Sequence, residues 1–408
     1  MNIRLKELSK LGYTNNVARS LALGIISKYC KHSSKEELIT ILTDILEYPE
    51  KYKGNETWSK LAEHFSPITT EKQFTVYDLL HEPLAFKTYG SKFIEGLAKQ
   101  QMELAMRLPI TVAGSLMLAV ENAVIPYAVG VDIGCRMSLT VFDAKANYLK
   151  RYSHQIKEAL KEYTHFGMDG YLGFPQEHEI LDRSEFQLTP LLKQLHGKVV
   201  RQLGSSGGGN HFVEFGEIEL VENNVLNLPQ GNYLALLSHS GSRGMGAAIA
   251  RHYSDIAREV CKLPREAQHF AWLGLDTEAG QEYWMSMNLA GDFAQACHER
   301  IHINLSKALG LKAIANVNNH HNFAWREEIA PNRYAIVHRK GATPAGKGVA
   351  GFIPGSMATP GYLVCGKGEM QSINSASHGA GRAMSRQKAK SQFTQSALKK
   401  LLSQNEVT

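Results

Sequence analysis

Residues 233–244 read YLALLSHSGSRG, an apolar run that leads directly into a glycine-rich polar loop. Short apolar runs bounded by glycine predict strands, and the loops after them are common positions for functional side chains. The same pattern recurs in AVGVDIGC (128–135), YAIVHRKGAT (334–343) and GYLVCGKG (361–368). Residues 148–163 and 278–309 predict helices between the runs. Alternating strands and helices indicate an α+β fold, with mixed sheets flanked by helices.

The first hundred or so residues predict helices instead. Ser34 and Glu37 fit a capping box, and Pro49 follows the predicted end of that helix. Its apolar residues recur at helical spacing: Leu38, Ile41, Leu42, Ile45 and Leu46. Thr14 is the predicted N-cap of an earlier helix, whose apolar face consists of Val17, Leu21, Ile25 and Ile26. We therefore expect a helical N-terminal region.

The composition is that of a folded protein. Of the 408 residues, 43% are hydrophobic and 21% are charged, which excludes a disordered or fibrous chain. The net charge of +6 and the pI near 8.9 permit an anionic partner such as nucleic acid without requiring one. No block of consecutive Lys or Arg forms a basic tail, so any phosphate-binding residues must be brought together by folding.

The cysteines and apolar stretches predict an intracellular location. The cysteines are odd in number, widely spaced and without a CxxC pair: Cys30, Cys135, Cys261, Cys297 and Cys365. The N-terminus lacks the apolar run of a signal peptide, and residues 108–120 are too short for a membrane span. A longer uncharged stretch, 348–366, is interrupted by glycine and proline. A soluble cytoplasmic protein with reduced thiols is expected.

Residue types that bind metals recur at the ends of the apolar runs or in nearby loops: Asp132, Cys135, His211, His239 and His321. One carboxylate, one thiolate and three imidazoles suffice for two divalent ions, if folding gathers them and the thiolate bridges. Each residue also has an ordinary structural role open to it, as a turn cap, a buried thiol or a packed histidine. Their recurrence favours the metal site.

Two glycine-rich loops resemble nucleotide-binding motifs without matching them. The loop GSSGGGN at 204–210 has little side-chain bulk, so its backbone NH groups could approach a phosphate. It also contains the spacing of a hydrolase nucleophile elbow, which glycine-rich loops produce by chance. Residues 341–348 have Walker A spacing, but Gly348 replaces the required hydroxyl and Pro344 lacks an NH. The pattern therefore gives little support to an esterase, and we reject a P-loop.

The loop SHGAGR at 377–382 places glycines around a histidine. This leaves room for a bulky group on the His378 ring, and a neutral imidazole can attack phosphorus while Arg382 balances oxyanion charge. A structural histidine in a glycine turn is the alternative. His338, Arg339 and Lys340 either place positive charge beside a phosphate or form a solvated strand end.

Seven motifs together resemble the RtcB RNA ligases, in the order found in that family and over about residues 108–386: VGVDIGC, GGGNHF, HSGSRG, HHNFAWRE, VHRKGAT, IPGSM and SHGAGR. The resemblance implies a catalytic domain over 108–408 built around a central metal-binding cleft, with the helical region over 1–107. It also implies a GTP- and Mn²⁺-dependent ligase of RNA repair or splicing. Such an enzyme joins 2′,3′-cyclic phosphate or 3′-phosphate ends to 5′-hydroxyl ends.

The resemblance also assigns roles to residues. Cys135 would bridge two Mn²⁺ ions, with His239 and His321 completing one site and Asp132 and His211 the other. His378 would form a histidine–GMP intermediate, with Arg243 and Arg382 contacting RNA phosphate or oxyanion. The implied contacts to the guanylate are Asn210, His211, Phe212, Val213, Glu214, His321, Asn322, Pro354, Gly355, Ser356, Met357, His378, Gly379, Ala380 and Gly381. The implied partners are RNA, GTP and, as in some family members, an archease-like activator.

Two departures from the family pattern leave alternatives open. The family carries a segment resembling PDxHxGYGxPIGG before VGVDIGC, which is not found here. The family also continues to a lysine that takes part in guanine recognition, whereas this sequence stops at Thr408. These departures leave both guanine specificity and full ligase activity open. A catalytically impaired RNA- or nucleotide-binding protein and a metal-dependent cyclic phosphodiesterase are the alternatives. Thiolate, moreover, suits zinc better than manganese.

Overall fold

The computed structural model describes residues 3–30, 33–65, 74–114, 117–167, 172–379, 384 and 386–407. The chain forms two compact units, Met1–Gln73 and Phe74–Thr408. The α-helices are α1 (Leu5–Leu11), α2 (Asn16–Tyr29), α3 (Lys35–Glu47), α4 (Ser59–Phe65), α5 (Gly96–Met106), α6 (Pro126–Val129), α7 (Tyr148–Arg151), α8 (Ser153–Tyr163), α9 (Pro190–Gln202), α10 (Arg243–Val260), α11 (Glu278–Leu309), α12 (Arg386–Gln392) and α13 (Gln395–Gln404). Short 3₁₀ turns occur at Pro49–Tyr52, Ser91–Phe93, Glu179–Asp182, Ser184–Gln187, Arg265–Phe270 and Met370–Ser372.

The strands belong to the second unit. They are β1 (Thr75–Val76), β2 (Thr111–Gly114), β3 (Leu118–Val120), β4 (Ala123–Val124), β5 (Arg136–Lys145), β6 (Phe212–Leu220), β7 (Gly231–Ser240), β8 (Cys261–Lys262), β9 (Leu273–Gly274), β10 (Ala313–His320), β11 (Asn322–Ala330), β12 (Arg333–Lys340), β13 (Ala342–Pro344), β14 (Ala350–Ile353), β15 (Tyr362–Cys365) and β16 (Ser375–Ser377).

The first unit packs α1–α4 around its own core. The Ser34 hydroxyl accepts from the backbone N–H of Glu37 while the Glu37 carboxylate accepts from that of Ser34, so the predicted capping box is confirmed. The apolar face of α3 is buried at Leu38, Leu42 and Ile45. The helical N-terminal region is therefore present.

The start of α2 differs from the prediction. Its N-cap is Asn15 rather than Thr14, because the Asn15 side-chain oxygen accepts from the backbone N–H of Val17. Val17 itself is 58% exposed, and the buried face carries Ala18 and Ala22. Small alanines allow close packing of the helix against the core. The prediction that Val17 lies on the buried face is therefore wrong.

One four-stranded antiparallel sheet, with the order β10-β5-β7-β6, carries most of the predicted site residues. One face of this sheet packs on α8 and α11 through Phe142, Leu236 and Ile301. The other face carries Met137 and Leu237 and packs against Phe352 of the β14–β15 hairpin. Both faces are covered, so the side chains at the strand ends lie between a rigid sheet and its neighbouring loops.

The second four-stranded antiparallel sheet has the order β11-β12-β3-β2. It contributes to the largest core, which also includes α9, α10 and much of the 32-residue helix α11. Together the sheets and helices confirm the α+β class. No helix in the described ranges combines the length and apolar character that a membrane crossing requires, and none of the five cysteines forms a disulfide.

Some of the predicted helices and strands are confirmed, and others are wrong. Helix α11 has the predicted bounds, whereas the helix predicted over 148–163 is divided at Tyr152. Three predicted strands are present as β7, β12 and β15. The strand predicted in AVGVDIGC is wrong, because Pro126 at the first helical turn directs residues 126–129 into α6 and a turn follows. Residues 342–344 form β13 and lead to β14 rather than a helix, in keeping with the rejected P-loop.

The segment from residue 74 to 107 packs within the second unit. Ala105 and Met106 of α5 are buried in its largest core, and Tyr77 packs against Trp272. The division between the two compact units therefore falls after residue 73 of the chain. The boundary expected after residue 107 stays a prediction for the limits of the catalytic domain.

A candidate metal centre beside His378

The five metal-ligand residues lie at one edge of the β10-β5-β7-β6 sheet. Cys135 directly precedes β5 and His211 directly precedes β6, while His239 is the last but one residue of β7. Because these neighbours are antiparallel, the start of one strand meets the end of the next at the same edge. His321 follows β10, and its backbone N–H donates to the Cys135 carbonyl at 3.0 Å. The sheet thus gathers residues that are far apart in sequence.

The first group consists of Cys135, His239 and His321, all buried. The Cys135 Sγ lies 3.2 Å from the His239 Nε2, which lies 3.1 Å from the His321 Nε2. The ligand atoms of the group all lie within 4.8 Å of one another. Two ligand atoms on one tetrahedral ion are about 3.4–3.7 Å apart, so small adjustments would let these three atoms share a cation.

The second group consists of Asp132, Cys135 and His211. The His211 Nε2 lies 2.8 Å from the Asp132 Oδ2 and 3.5 Å from the Cys135 Sγ. Cys135 belongs to both groups, and its sulfur is the atom that they have in common. This is the arrangement that a bridging thiolate requires.

The protonation of the cluster suits metal binding. The His239 Nδ1–H donates to the Asn210 carbonyl at 3.0 Å, which leaves the lone pair of Nε2 directed at Cys135 and His321. Burial, together with neighbouring His211, lowers the pKa of His239 to about 4. The Nδ1 atoms of His211 and His321 are buried without a hydrogen-bond partner in the described residues. A neutral imidazole at His239, with its Nε2 lone pair facing the Cys135 sulfur and His321, fits a divalent cation.

Metal binding at this cluster depends on ionisation of the Cys135 thiol. Burial, reinforced by Asp132, raises the pKa of this thiol well above its ordinary value. A thiolate is needed for coordination, so metal binding must displace the proton and weaken as the pH falls. The residues present therefore fit a pair of divalent ions, with Cys135 as the shared ligand.

Two glycines allow the loops to approach the cluster. A Cβ added at Gly207, in the GSSGGGN loop, would lie 1.9 Å from the His211 Nδ1. One added at Gly241 would lie 2.0 Å from the Asp132 Oδ1. A side chain at either position would therefore displace a metal-ligand candidate from its place. The GSSGGGN loop therefore packs against a metal-ligand candidate, a role that its sequence did not specify.

His378 lies beside the first group. Its ring stacks on that of His321, with centroids 3.7 Å apart and planes at 6°, and its centroid is 5.9 Å from that of His239. Burial lowers the pKa of His378, and its Nδ1 has no hydrogen-bond partner in the described part of the chain. A neutral imidazole adjacent to the ligand cluster has the chemical character of a nucleophile.

Arg243, the first residue of α10, lies near His211, because a Cβ added at Gly207 would be close to both side chains. Its backbone adopts a left-handed conformation, with φ of 57°, which is unusual for a side chain other than glycine or asparagine. Its guanidinium donates to the Ser205 hydroxyl at 3.1 Å and to the Gly167 carbonyl. Both partners are uncharged, so the positive charge of Arg243 is not neutralised by them.

The residues expected around a guanylate fall in several places. Phe212 lies on the same face of the sheet as His239, with ring centroids 5.7 Å apart, whereas Val213 packs on the opposite face near α11. The side chain of Phe212 therefore lies on the face of the cluster, whereas the side chain of Val213 points away from it. Asn210, Glu214 and the Pro354–Met357 loop are at least partly exposed.

Two contacts connect the remaining expected residues to the cluster. Asn322 donates to the Asp132 carbonyl at 3.3 Å and accepts from the Gly341 backbone N–H at 3.0 Å. A Cβ at Gly379 would lie 3.9 Å from the Pro354 carbonyl oxygen, so the loop after His378 approaches the Pro354 loop. Ala380, Gly381 and Arg382 lie outside the described residues.

A buried hydrogen-bond chain behind the cluster was missed by the sequence analysis. The His298 Nε2–H donates to the Ser240 carbonyl at 3.2 Å, so its Nδ1 accepts from the Ser238 hydroxyl. Ser238 in turn accepts from the His302 Nε2, and the His302 Nδ1 accepts from Thr140 at 2.7 Å. The chain supports the strand that carries His239. The HxxxH spacing of His298 and His302 within the predicted helix was the available signal.

This buried hydrogen-bond chain predicts that the folded protein becomes less stable at acid pH. Burial lowers the pKa of His302 to about 3, whereas the unfolded residue titrates near its ordinary value of about 6.5. The unfolded state therefore binds the extra proton first, and the free energy of unfolding should fall as the pH drops from about 6.5 to 3. Urea denaturation of a His302→Gln variant should show a pH slope shallower by up to about 1.4 kcal/mol per pH unit.

The matched control for this prediction is His252→Gln, since His252 is exposed on α10. It should retain the slope of the unsubstituted protein. Equal slopes for all three proteins would show that His302 is not held neutral by burial.

Comparison with known proteins gives consistent results. A family profile described as "tRNA-splicing ligase RtcB" matches residues 176–408. The RNA-splicing ligase RtcB of Escherichia coli K12 is 30% identical over 302 residues, covering 67% of this chain and 71% of that protein. The tRNA-splicing ligase RtcB of Nanoarchaeum equitans is 27% identical over 337 residues, covering 67% and 70%. That of Thermococcus kodakarensis is 32% identical over 225 residues, covering 47% of each.

Proposed function

Because this chain belongs to the RtcB family of RNA ligases, we propose that it joins 2′,3′-cyclic phosphate or 3′-phosphate RNA ends to 5′-hydroxyl ends, using GTP and Mn²⁺. The observation that carries the proposal is the ring of His378, stacked at 3.7 Å on His321 of the ligand cluster. A nucleophile beside a cation site is the arrangement that nucleotidyl transfer needs.

The residues that would hold two ions are those already grouped by geometry. Cys135, His239 and His321 would bind one ion, and Asp132, Cys135 and His211 the other. When bound, divalent cations offset the negative charge of a triphosphate and of RNA phosphates. The ligand set is softer than manganese prefers, so zinc is a competitor for the first group in particular.

His378 would attack the α-phosphorus of GTP. A nitrogen–phosphorus bond forms as the bond to the β-phosphate oxygen breaks, and pyrophosphate departs. The neutral state needed for this attack is favoured because burial lowers the pKa of His378. A 2′,3′-cyclic phosphate end would first be opened by water to a 3′-phosphate. The guanylate would then pass from His378 to the RNA 3′-phosphate, and the 5′-hydroxyl would attack that phosphate and release GMP. Splitting one transfer into two lowers the barrier of each.

Other residues would bind and orient the substrates. Arg243, whose hydrogen-bond partners are uncharged, would hold RNA phosphate oxygens, and Arg382 is proposed for the same task. The guanylate would contact Phe212 and Asn322 near the cluster. Further proposed guanylate contacts are Asn210, His211, Val213, Glu214, His321, Pro354, Gly355, Ser356, Met357, Gly379, Ala380 and Gly381. An archease-like activator and a cytoplasmic location stay predictions.

The proposal is tested with a labelled RNA that ends in a 2′,3′-cyclic phosphate and a second RNA with a 5′-hydroxyl. A joined product that requires both GTP and Mn²⁺ is expected. Binding of both RNAs without joining would favour an RNA- or nucleotide-binding protein and contradict the proposal. Opening of the cyclic phosphate without GTP, and without joining, would instead indicate a cyclic phosphodiesterase.

A further inference from the structure

Arg339 is a buried cation whose surroundings were not foreseen. The sequence left two options for it, a charge beside a phosphate or a solvated strand end, and the structure shows neither. Its side chain has no solvent exposure, and its two terminal nitrogens donate to the two carboxylate oxygens of Glu327 at 2.7 Å each. The guanidinium also lies 4.9 Å from the Trp325 ring centroid. A bidentate pair of this kind fixes the orientation of the guanidinium.

The same guanidinium holds a turn that is strained. Ile373 and Asn374 are consecutive residues in the left-handed region, each with φ of 47°, and a β-branched residue rarely adopts that conformation. The Arg339 Nη2 donates to the Ile373 carbonyl at 3.0 Å, and its Nε donates to the Ser375 hydroxyl at 2.7 Å. Strain of this kind persists where the surroundings over-determine it, often near functional sites.

The strained turn leads directly to His378. Ser375 begins β16, a strand of three residues that pairs with β13. The strand ends immediately before His378, whose backbone N–H donates to the Gly341 carbonyl at 3.1 Å. The His378 Nδ1 has no hydrogen-bond partner among the described residues, so the ring is located by its stacking on His321 and by this strand.

We propose that Arg339 is a positioning residue for His378: with Glu327 it fixes the turn from which the His378 strand starts, and so sets the ring against the metal-ligand cluster. The proposal deepens the proposed function and, for its kinetic part, rests on it. Within the described part of the chain, Arg339 donates to Ser375, Glu327 and Ile373 and to none of the metal-ligand candidates, which distinguishes its effect from loss of metal.

An Arg339→Lys variant separates these effects, since lysine keeps the charge and loses the planar fork. Single-turnover guanylation with Mn²⁺ and α-labelled GTP should slow by about 10- to 100-fold, the order expected when a reacting group is misplaced by about 1 Å. The GTP concentration for half-maximal rate and the Mn²⁺ affinity should each change less than about threefold, because the ligand groups themselves are untouched.

Two further variants complete the design. Glu327→Gln removes the charge of the carboxylate with little change of shape and should slow guanylation in the same direction. Arg326→Lys is the matched control, because Arg326 is an exposed arginine on β11, the strand that carries Glu327. This variant should guanylate at the normal rate. If Arg339→Lys fails to fold, as judged by circular dichroism, Glu327→Gln decides the proposal.

A second readout is independent of catalysis. The rate at which diethyl pyrocarbonate modifies His378, followed by peptide mass spectrometry, should change several-fold in Arg339→Lys and stay constant in Arg326→Lys. An unchanged modification rate, or guanylation at the normal rate, would overturn the positioning role. Absence of label on the unsubstituted protein would overturn the proposed function instead, while the modification rates would still decide the role of Arg339.

Discussion

Replacement of His378 by alanine is expected to abolish covalent guanylation of the protein, with a loss of at least about 1,000-fold, as for removal of other enzymatic nucleophiles. In the proposed reaction this ring, beside the ligand cluster, supplies the nitrogen nucleophile, and its Nδ1 has no hydrogen-bond partner among the described residues. Alanine removes the atom that would bond to phosphorus. The measurement is the acid-labile label retained on the protein after incubation with Mn²⁺ and α-labelled GTP.

The control for this variant is His252→Ala, which removes an exposed imidazole from α10. It should retain full labelling. A folded His378→Ala protein that labelled as strongly as the control would assign the nucleophile to another residue.

Replacement of Cys135 by alanine is expected to weaken Mn²⁺ binding at both sites by at least about 100-fold, since a lost ligand should cost more than the 10- to 100-fold typical of an outer-shell partner. The Cys135 sulfur belongs to both ligand groups, lying 3.2 Å from the His239 Nε2 and 3.5 Å from the His211 Nε2. A single substitution therefore damages both. Isothermal titration with Mn²⁺ gives the affinity and the number of ions bound.

Cys261→Ala is the matched control, because Cys261 is equally buried and belongs to neither ligand group. It should bind two ions with unchanged affinity. If Cys135→Ala lost one ion and kept the other at full affinity, the sulfur would be a ligand to one site and not a bridge.

Sequence patterns predicted the residues that the fold gathers into the two candidate ligand groups, because strand ends carry strong local signals. Cys135, His211 and His239 each adjoin an apolar run and a glycine, and the antiparallel sheet brings those ends to one edge. The convergence itself could not be predicted from spacing. It depends on strand pairing between residues about 100 positions apart, which local patterns do not encode.

Arg339 shows why other parts of the site were not foreseen. In sequence it is a charged residue between His338 and Lys340, and such residues usually face solvent. Its burial depends on Glu327, twelve positions earlier, and on a turn 34 positions later. Only the folded chain reveals that pairing. Likewise, residues 126–129 form a short helix instead of the expected strand. Pro126 stands at the first helical position, where its fixed φ favours a helix more strongly than the apolar pattern favours a strand.

The N-terminal helices were predicted well where caps and periodicity agreed, as at Ser34 and Glu37. They were predicted less well where two capping residues, Thr14 and Asn15, stood side by side. The expected helical character also extended too far. Residues 74–107 contain one α-helix, α5, together with extended segments that pack into the second core.

The most direct test of the central claim, that a metal-ligand cluster and His378 form one catalytic site, is to map the guanylate adduct by peptide mass spectrometry. With Mn²⁺ and GTP, the account predicts a phosphoramidate on the peptide containing His378, present in the unsubstituted protein and lost in Cys135→Ala. An adduct on a different residue, or one on His378 that forms equally well in Cys135→Ala, would contradict it.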